Sequence, residues 1–153
     1  MISNFIERKQ KIHFITYGDD KFKNSLNRIK KEALETRWFD TITSLTPDVL
    51  DEDFKNKFSN ILQMKRGGGF WIWKPYIIKK ILNIINDNDI LVYADSGCTI
   101  NIKGSRRFFD YINMLNSNDS GIISFQSDSW LEKQYTTNEI FNYFNINNQE
   151  IKD

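Results

Sequence analysis

Several things are scarce in this chain of 153 residues. It has one cysteine, Cys98, and one histidine, His13. A lone cysteine excludes an internal disulfide. A lone histidine excludes a polyhistidine metal cage and argues against a histidine-based catalytic triad. Charge of either sign is not in excess: 21 Lys and Arg stand against 20 Asp and Glu, a net charge of +1. There is thus no global basic field to favour nucleic acid, and no block of like charge that would mark a tail. No apolar run approaches the roughly 18 residues of a membrane helix. The first ten residues, MISNFIERKQ, lack an apolar core of signal-peptide length. A soluble, cytoplasmic protein is the expectation. Proline occurs only twice, and neither an internal repeat nor a linker interrupts the chain.

What is present fits a packed protein. Hydrophobic residues make up 40% and aromatic residues 14%, outside the range of disordered chains. A chain of this length buries roughly two thirds of its unfolded surface, enough for a true core. One domain over residues 1–153 is expected, with 1–10 as a loosely ordered N-terminal segment.

Periodicity then sets out the elements. Lys11–Tyr17 is short, apolar and β-branched, a buried strand broken by Gly18-Asp19-Asp20. From Phe22 to Arg37 the apolar positions Phe22, Leu26, Ile29 and Ala33 recur on one helical face. Asp40–Leu45 reads as a second strand. Thr46-Pro47-Asp48 reads as a helix start with Thr46 as N-cap, burying Leu50, Phe54, Phe58 and Ile61. Gly67-Gly68-Gly69 ends that helix, and Lys74-Pro75 opens another with a wide apolar stripe from Ile77 to Ile85. Ile90–Ala94 follows the Asn86–Asp89 turn as a central, parallel-type strand. Ser105 caps a helix carrying Phe108, Ile112 and Leu115. Gly121–Phe125 reads as a fourth strand, and Thr136 with Glu139 has capping-box spacing for a last helix. Strands alternating with helices predict an α/β fold with a mostly parallel sheet. Ligands in such sheets sit at the carboxyl ends of the strands. One rim is expected to gather Tyr17-Gly18-Asp19, Asp95-Ser96-Gly97 and Gln126–Asp128.

Asp95 is the most informative residue, because it ends an otherwise apolar strand and is followed by Ser96-Gly97. A carboxylate there can bind a divalent cation, accept a ribose hydroxyl or act as a base; a turn residue capping the strand end is the plainer alternative, and the company of Tyr93 and the Gly97 turn favours function over it. Arg66 to Lys74 is the second candidate. Three glycines let a backbone approach a ligand, Arg66 and Lys74 add positive charge, and the helix N-terminus is an anion site. Such a set suits a diphosphate. Phe70, Trp71 and Trp73 read equally well as plugs of the core. Neither the dinucleotide glycine pattern nor the P-loop is present. Tyr17 ends its strand where it can stack on a base, or simply close a turn. His13 and Cys98 read as structural residues.

Two motifs resemble a known group. Arg66-Gly67-Gly68-Gly69-Phe70-Trp71-Ile72-Trp73-Lys74-Pro75-Tyr76, then Asp89-Ile90-Leu91-Val92-Tyr93-Ala94-Asp95-Ser96-Gly97-Cys98, are similar to R-G-x-G-[YF]-W-x-W-K-P-Y and D-I-[LI]-x-Y-x-D-[AS]-G-C. These belong to bacterial and viral glycosyltransferase-like proteins of the GT-A type, and the likeness covers residues 11–146. It implies a Rossmann-like GT-A sandwich, shortened at the C-terminus relative to typical members, that binds a nucleoside-diphosphate sugar, by default a UDP-sugar, for transfer to an acceptor. It places Tyr17, Gly18, Arg66, Trp73, Lys74, Asp95, Ser96 and Gly97 at the donor. Asp95 also becomes the catalytic position and the ligand of Mn²⁺ or Mg²⁺. Asp95 matches the first carboxylate of the family's D-x-D metal motif, and Gly97 occupies the second position. Two alternatives stand beside transfer: a non-catalytic binding or assembly module that forms a homodimer, and an aspartate-dependent phosphohydrolase using Asp95.

Overall fold

The computed structural model describes residues 10–125, 129 and 131–147. The chain divides into two compact units with the boundary after Ser105. The first unit holds three strands: β1 (Ile12–Tyr17), β2 (Thr41–Leu45) and β3 (Ile90–Tyr93). They form one parallel sheet in the order β2-β1-β3. His13 to Tyr17 pair with Thr41 to Leu45, and Ile12 to Ile15 pair with Ile90 to Tyr93. The α/β class with a small parallel sheet flanked by helices therefore agrees with the sequence reading.

Alternation along β1 divides the core between the two faces of the sheet. Ile15 and Tyr17 join Leu45, Leu50, Phe54, Trp73 and Ile77 in one cluster. Phe14 joins Ile29 and Ala33 on the other face, with Ile42 and Val92 packed against them. The second cluster is the buried stripe of α1 (Lys23–Thr36). The first is supplied by α2 (Glu52–Lys57) and α5 (Trp73–Leu82). Full burial of side chains such as Phe14, Ile15, Ile29 and Ile77 contributes about 1.5–3 kcal/mol each.

Three sequence expectations need correction. The helix expected from Thr46 is broken. A 3-10 turn spans Pro47–Val49, Leu50 is extended, and α2 starts afresh at Asp51, whose side chain accepts from the Phe54 amide at 2.9 Å. Two N-cap residues compete within five positions, and Asp51 wins while Thr46 bonds Asp48 instead. A short α3 (Ser59–Leu62) follows, so Ile61 is exposed rather than core. Gly121–Phe125 forms no strand. It lies in the second unit, where Phe125 packs on Tyr111 of α6 (Ser105–Asn116) at 5.2 Å instead of entering a ladder. The last helix, α7 (Asn138–Tyr143), starts one residue later than expected: Thr137 holds the N-cap position without a side-chain cap bond, and the Thr136 hydroxyl bonds Glu132 instead. Gln126–Asp128 lie outside the described residues.

The glycine triplet is more than a helix stop. Gly67, Gly68, Gly69, Phe70 and Trp71 all have positive φ, between 52° and 94°. The segment α4 (Gly67–Phe70) is therefore a left-handed turn. L-residues pay about 1–2 kcal/mol each in that conformation, so Phe70 and Trp71 are held there at a cost. Close packing explains two of the glycines. A Cβ on Gly67 would lie 2.5 Å from the Trp71 ring, and one on Gly69 would lie 2.8 Å from the Leu62 Cα.

Candidate functional site at the carboxyl edge of the sheet

The chain leaves β1 toward β2 on one side and returns to β3 on the other. This makes the β1/β3 boundary a topological switch point, the place where open α/β sheets bind their ligands. Parallel pairing brings Tyr17-Gly18-Asp19 and Tyr93–Asp95 to the same edge. Asp95 lies two residues beyond the last residue of β3, Tyr93, and is exposed. The Tyr93 hydroxyl donates to its Oδ1 at 2.5 Å, and the Lys74 ammonium reaches Oδ1 at 3.0 Å and Oδ2 at 3.2 Å. Burial opposes ionisation of Asp95, but the Tyr93 hydrogen bond and Lys74 outweigh it, leaving the carboxyl below its ordinary range. The same contacts act in reverse on Tyr93, whose hydroxyl is pushed well up, first by burial and then by Asp95.

Lys74 is positioned by aromatic rings. Its ammonium lies 5.1 Å from the Tyr93 centroid and 5.9 Å from that of Trp73. Trp73 is buried, stacks on Tyr17 with centroids 3.9 Å apart, and donates from Nε1 to the Gly67 carbonyl at 3.0 Å. That one indole ties the end of β1 to the glycine turn and to the start of α5. Tyr17 is itself buried, and its hydroxyl is raised to about 12, first by burial and then by the nearby Asp19 and Asp48. The ring of Tyr17 thus faces Trp73 within the core.

Of the residues expected at the site, Tyr17, Trp73, Lys74 and Asp95 form one connected group. Gly18 adjoins it, with its amide bonded to the Leu45 carbonyl at 3.2 Å, and a Cβ there would press on Phe22 at 2.9 Å. Arg66 lies over Trp71, 5.7 Å from the ring. Ser96 is buried. Gly97 is exposed, and a Cβ on it would meet nothing within 4 Å. The anion capacity of the α5 N-terminus is smaller than the sequence implies. Pro75 has no amide hydrogen, and the Lys74 amide is already bonded to the Trp71 carbonyl at 2.9 Å. The positive charge on Asp95 itself comes from the Lys74 side chain.

Sequence reasoning missed two features. The first is a clamp from α1. Arg28 donates to the carbonyls of Ser96 at 3.1 Å and Cys98 at 2.9 Å, and to Thr99 Oγ1 at 3.1 Å. Glu32 pairs with Arg28 and accepts the Ile100 amide at 2.8 Å. That amide, opposed by burial and aided by Arg28, keeps Glu32 below its ordinary range. The clamp fixes the loop that follows Asp95. Its spacing, i and i+4, reads in sequence as an ordinary surface pair. The second is a cavity of about 450 Å³ at the carboxyl ends of β1 and β2, lined by Asp19, Lys23, Asn27, Lys30, Ser44 and Asp48 among others. The Ser44 hydroxyl is buried without a hydrogen-bond partner, as is that of Thr16, its neighbour in register. An orphaned buried hydroxyl costs about 1–3 kcal/mol, which a ligand atom can relieve.

The donor set does not fit a resident divalent ion. Among the described residues no three His, Cys, Asp or Glu side chains come together to hold a metal. Both oxygens of Asp95 already face hydrogen-bond donors. No protein-family model, curated protein or solved structure matches the chain.

Proposed function

We propose that this chain binds a nucleoside-diphosphate sugar at the carboxyl edge of its sheet and transfers the sugar to an acceptor, as a GT-A-type glycosyltransferase. The observation that carries the reading is the Lys74 ammonium, held on Asp95 at 3.0 Å beyond the ends of β1 and β3. A diphosphate leaving group gains charge as the anomeric C–O bond breaks, and a preplaced cation stabilises that charge. Lys74 supplies it, the rings of Tyr93 and Trp73 fix its direction, and Asp95 keeps it oriented until the donor arrives. The cavity at the carboxyl ends of β1 and β2, on the α1 face of the sheet, offers room for the nucleoside portion across the strand ends, with the Ser44 hydroxyl, Lys23 and Asn27 as donors. UDP-sugars are the first donors to test.

The expected activity is release of UDP from a UDP-sugar, assayed with and without Mn²⁺. Lys74→Ala should lower the rate by about 10²-fold or more, the usual loss when one charge-stabilising group is removed. Asp95→Asn should also lower it, by misorienting Lys74. UDP binding without any UDP release from any UDP-sugar would favour a second reading, a non-catalytic nucleotide-binding module. Gly97 supports that reading: it stands where the family motif has a second carboxylate, in open space that would admit one.

A further inference from the structure

The left-handed turn carries its two bulky residues outward. Phe70 is 54% and Trp71 44% exposed, although both occupy backbone conformations that Gly or Asn would adopt more cheaply. Neither ring serves the core, which at this point is filled by Trp73. The turn is packed on α3: the Gly69 amide bonds the Met64 carbonyl at 2.9 Å, and Gly69 abuts the Leu62 backbone. Ile61 and Met64, also exposed, therefore belong to the same protrusion. Lys65 and Arg66 are exposed beside them, with Arg66 over the Trp71 ring.

Charge is distributed to match. The stretch Phe54–Asn86 contains seven Lys and Arg and no Asp or Glu, in a chain whose net charge is only +1. Lys55 pairs with Glu52 and Lys74 with Asp95, so the cations a surface docked on the turn meets are Lys65 and Arg66. We propose that the protrusion formed by Ile61, Met64, Phe70 and Trp71, flanked by Lys65 and Arg66, docks on an anionic lipid surface. Aromatic rings with short aliphatic neighbours settle at the level of lipid headgroups, while adjacent cations are drawn to anionic lipid. A nucleic acid would use the cations and the flat rings but leave Ile61 and Met64 without a role. The inference does not depend on donor binding, which uses the other end of the Arg66–Lys74 segment.

The test is co-sedimentation of the full chain with vesicles of phosphatidylcholine alone or mixed with phosphatidylserine. The chain should sediment with the mixed vesicles at low salt and be released as salt rises. Phe70→Ala with Trp71→Ala should weaken binding by about tenfold or more, and Lys65→Glu with Arg66→Glu should abolish it. Phe70→Asn with Trp71→Asn relieves backbone strain while removing both rings. It should melt no lower than the parent and still fail to bind, which separates docking from folding. The proposal is overturned if the chain ignores phosphatidylserine vesicles at low salt. It is overturned equally if loss of both rings leaves binding unchanged, or if a single-stranded oligonucleotide competes the chain off the vesicles through those rings.

Discussion

Two aspartates flank β3 in opposite circumstances. Asp89 precedes the strand with its side chain only 7% exposed. It accepts the Lys11 amide at 2.8 Å, His13 Nε2 at 3.0 Å and the Asn86 amide at 3.3 Å, pinning the start of β3 to the start of β1. The Lys11 amide first, then His13, lower its carboxyl from 3.8 to about 2. A depressed carboxyl contributes stability that is present above the unfolded value and disappears as pH falls through the folded one. Stability should therefore decline between pH 4 and pH 2. Asp89→Asn should flatten that decline and lower the melting temperature at neutral pH; an unchanged acid profile in the variant would show that Asp89 does not carry it. Asp95, after the strand, is exposed and holds the Lys74 side chain rather than backbone. The strand-end position of Asp95 was readable in sequence. Its pairing with Lys74, twenty-one residues away, was not, because nothing local dictates which segment meets a strand end.

At the scale of elements, legibility followed periodicity. β1, α1, β2 and β3 lie within one or two residues of where alternation and the helical stripe put them, because each buries a face that no other period would bury. Expectation failed where local signals competed. Thr46 and Asp51 both qualified as caps, and in the apolar run Gly121–Phe125 the Phe125 ring packs on Tyr111 while the segment forms no strand. The aromatic block was half legible: Trp73 is core, whereas Phe70 and Trp71 point out, a division set by the left-handed turn and invisible to composition. The turn makes its own prediction. Gly68→Ala, with only Trp73 Nε1 at 3.7 Å, should cost about 1 kcal/mol. Gly69→Ala, at φ +94° and 2.8 Å from the Leu62 Cα, should cost more than about 2 kcal/mol. Equal losses in urea denaturation would mean that the close approach of α4 to α3 does not matter.

For the whole molecule, the sheet-bearing unit contains every group of the proposed donor site, from Tyr17 to Asp95, and the second unit begins after Ser105. The α/β class, the shared edge of Tyr17–Asp19 and Tyr93–Asp95, and the acidic strand end were legible in sequence. The α1 clamp and the cavity beside Ser44 were not, since both arise from side chains of separate segments meeting only in three dimensions. The central claim is that Lys74, at the carboxyl edge of the sheet where β1 and β3 end, holds a nucleoside diphosphate. Thermal unfolding with UDP, with and without Mn²⁺, tests it most directly. At 100 times its dissociation constant a bound ligand adds about 2.7 kcal/mol, which for a chain of this size raises the melting temperature by roughly 5 to 11 °C. The shift should appear in the parent protein and largely vanish in Lys74→Ala. If no nucleoside diphosphate or nucleotide sugar moves the melting temperature under either condition, the site does not bind such a donor and the proposed function is contradicted.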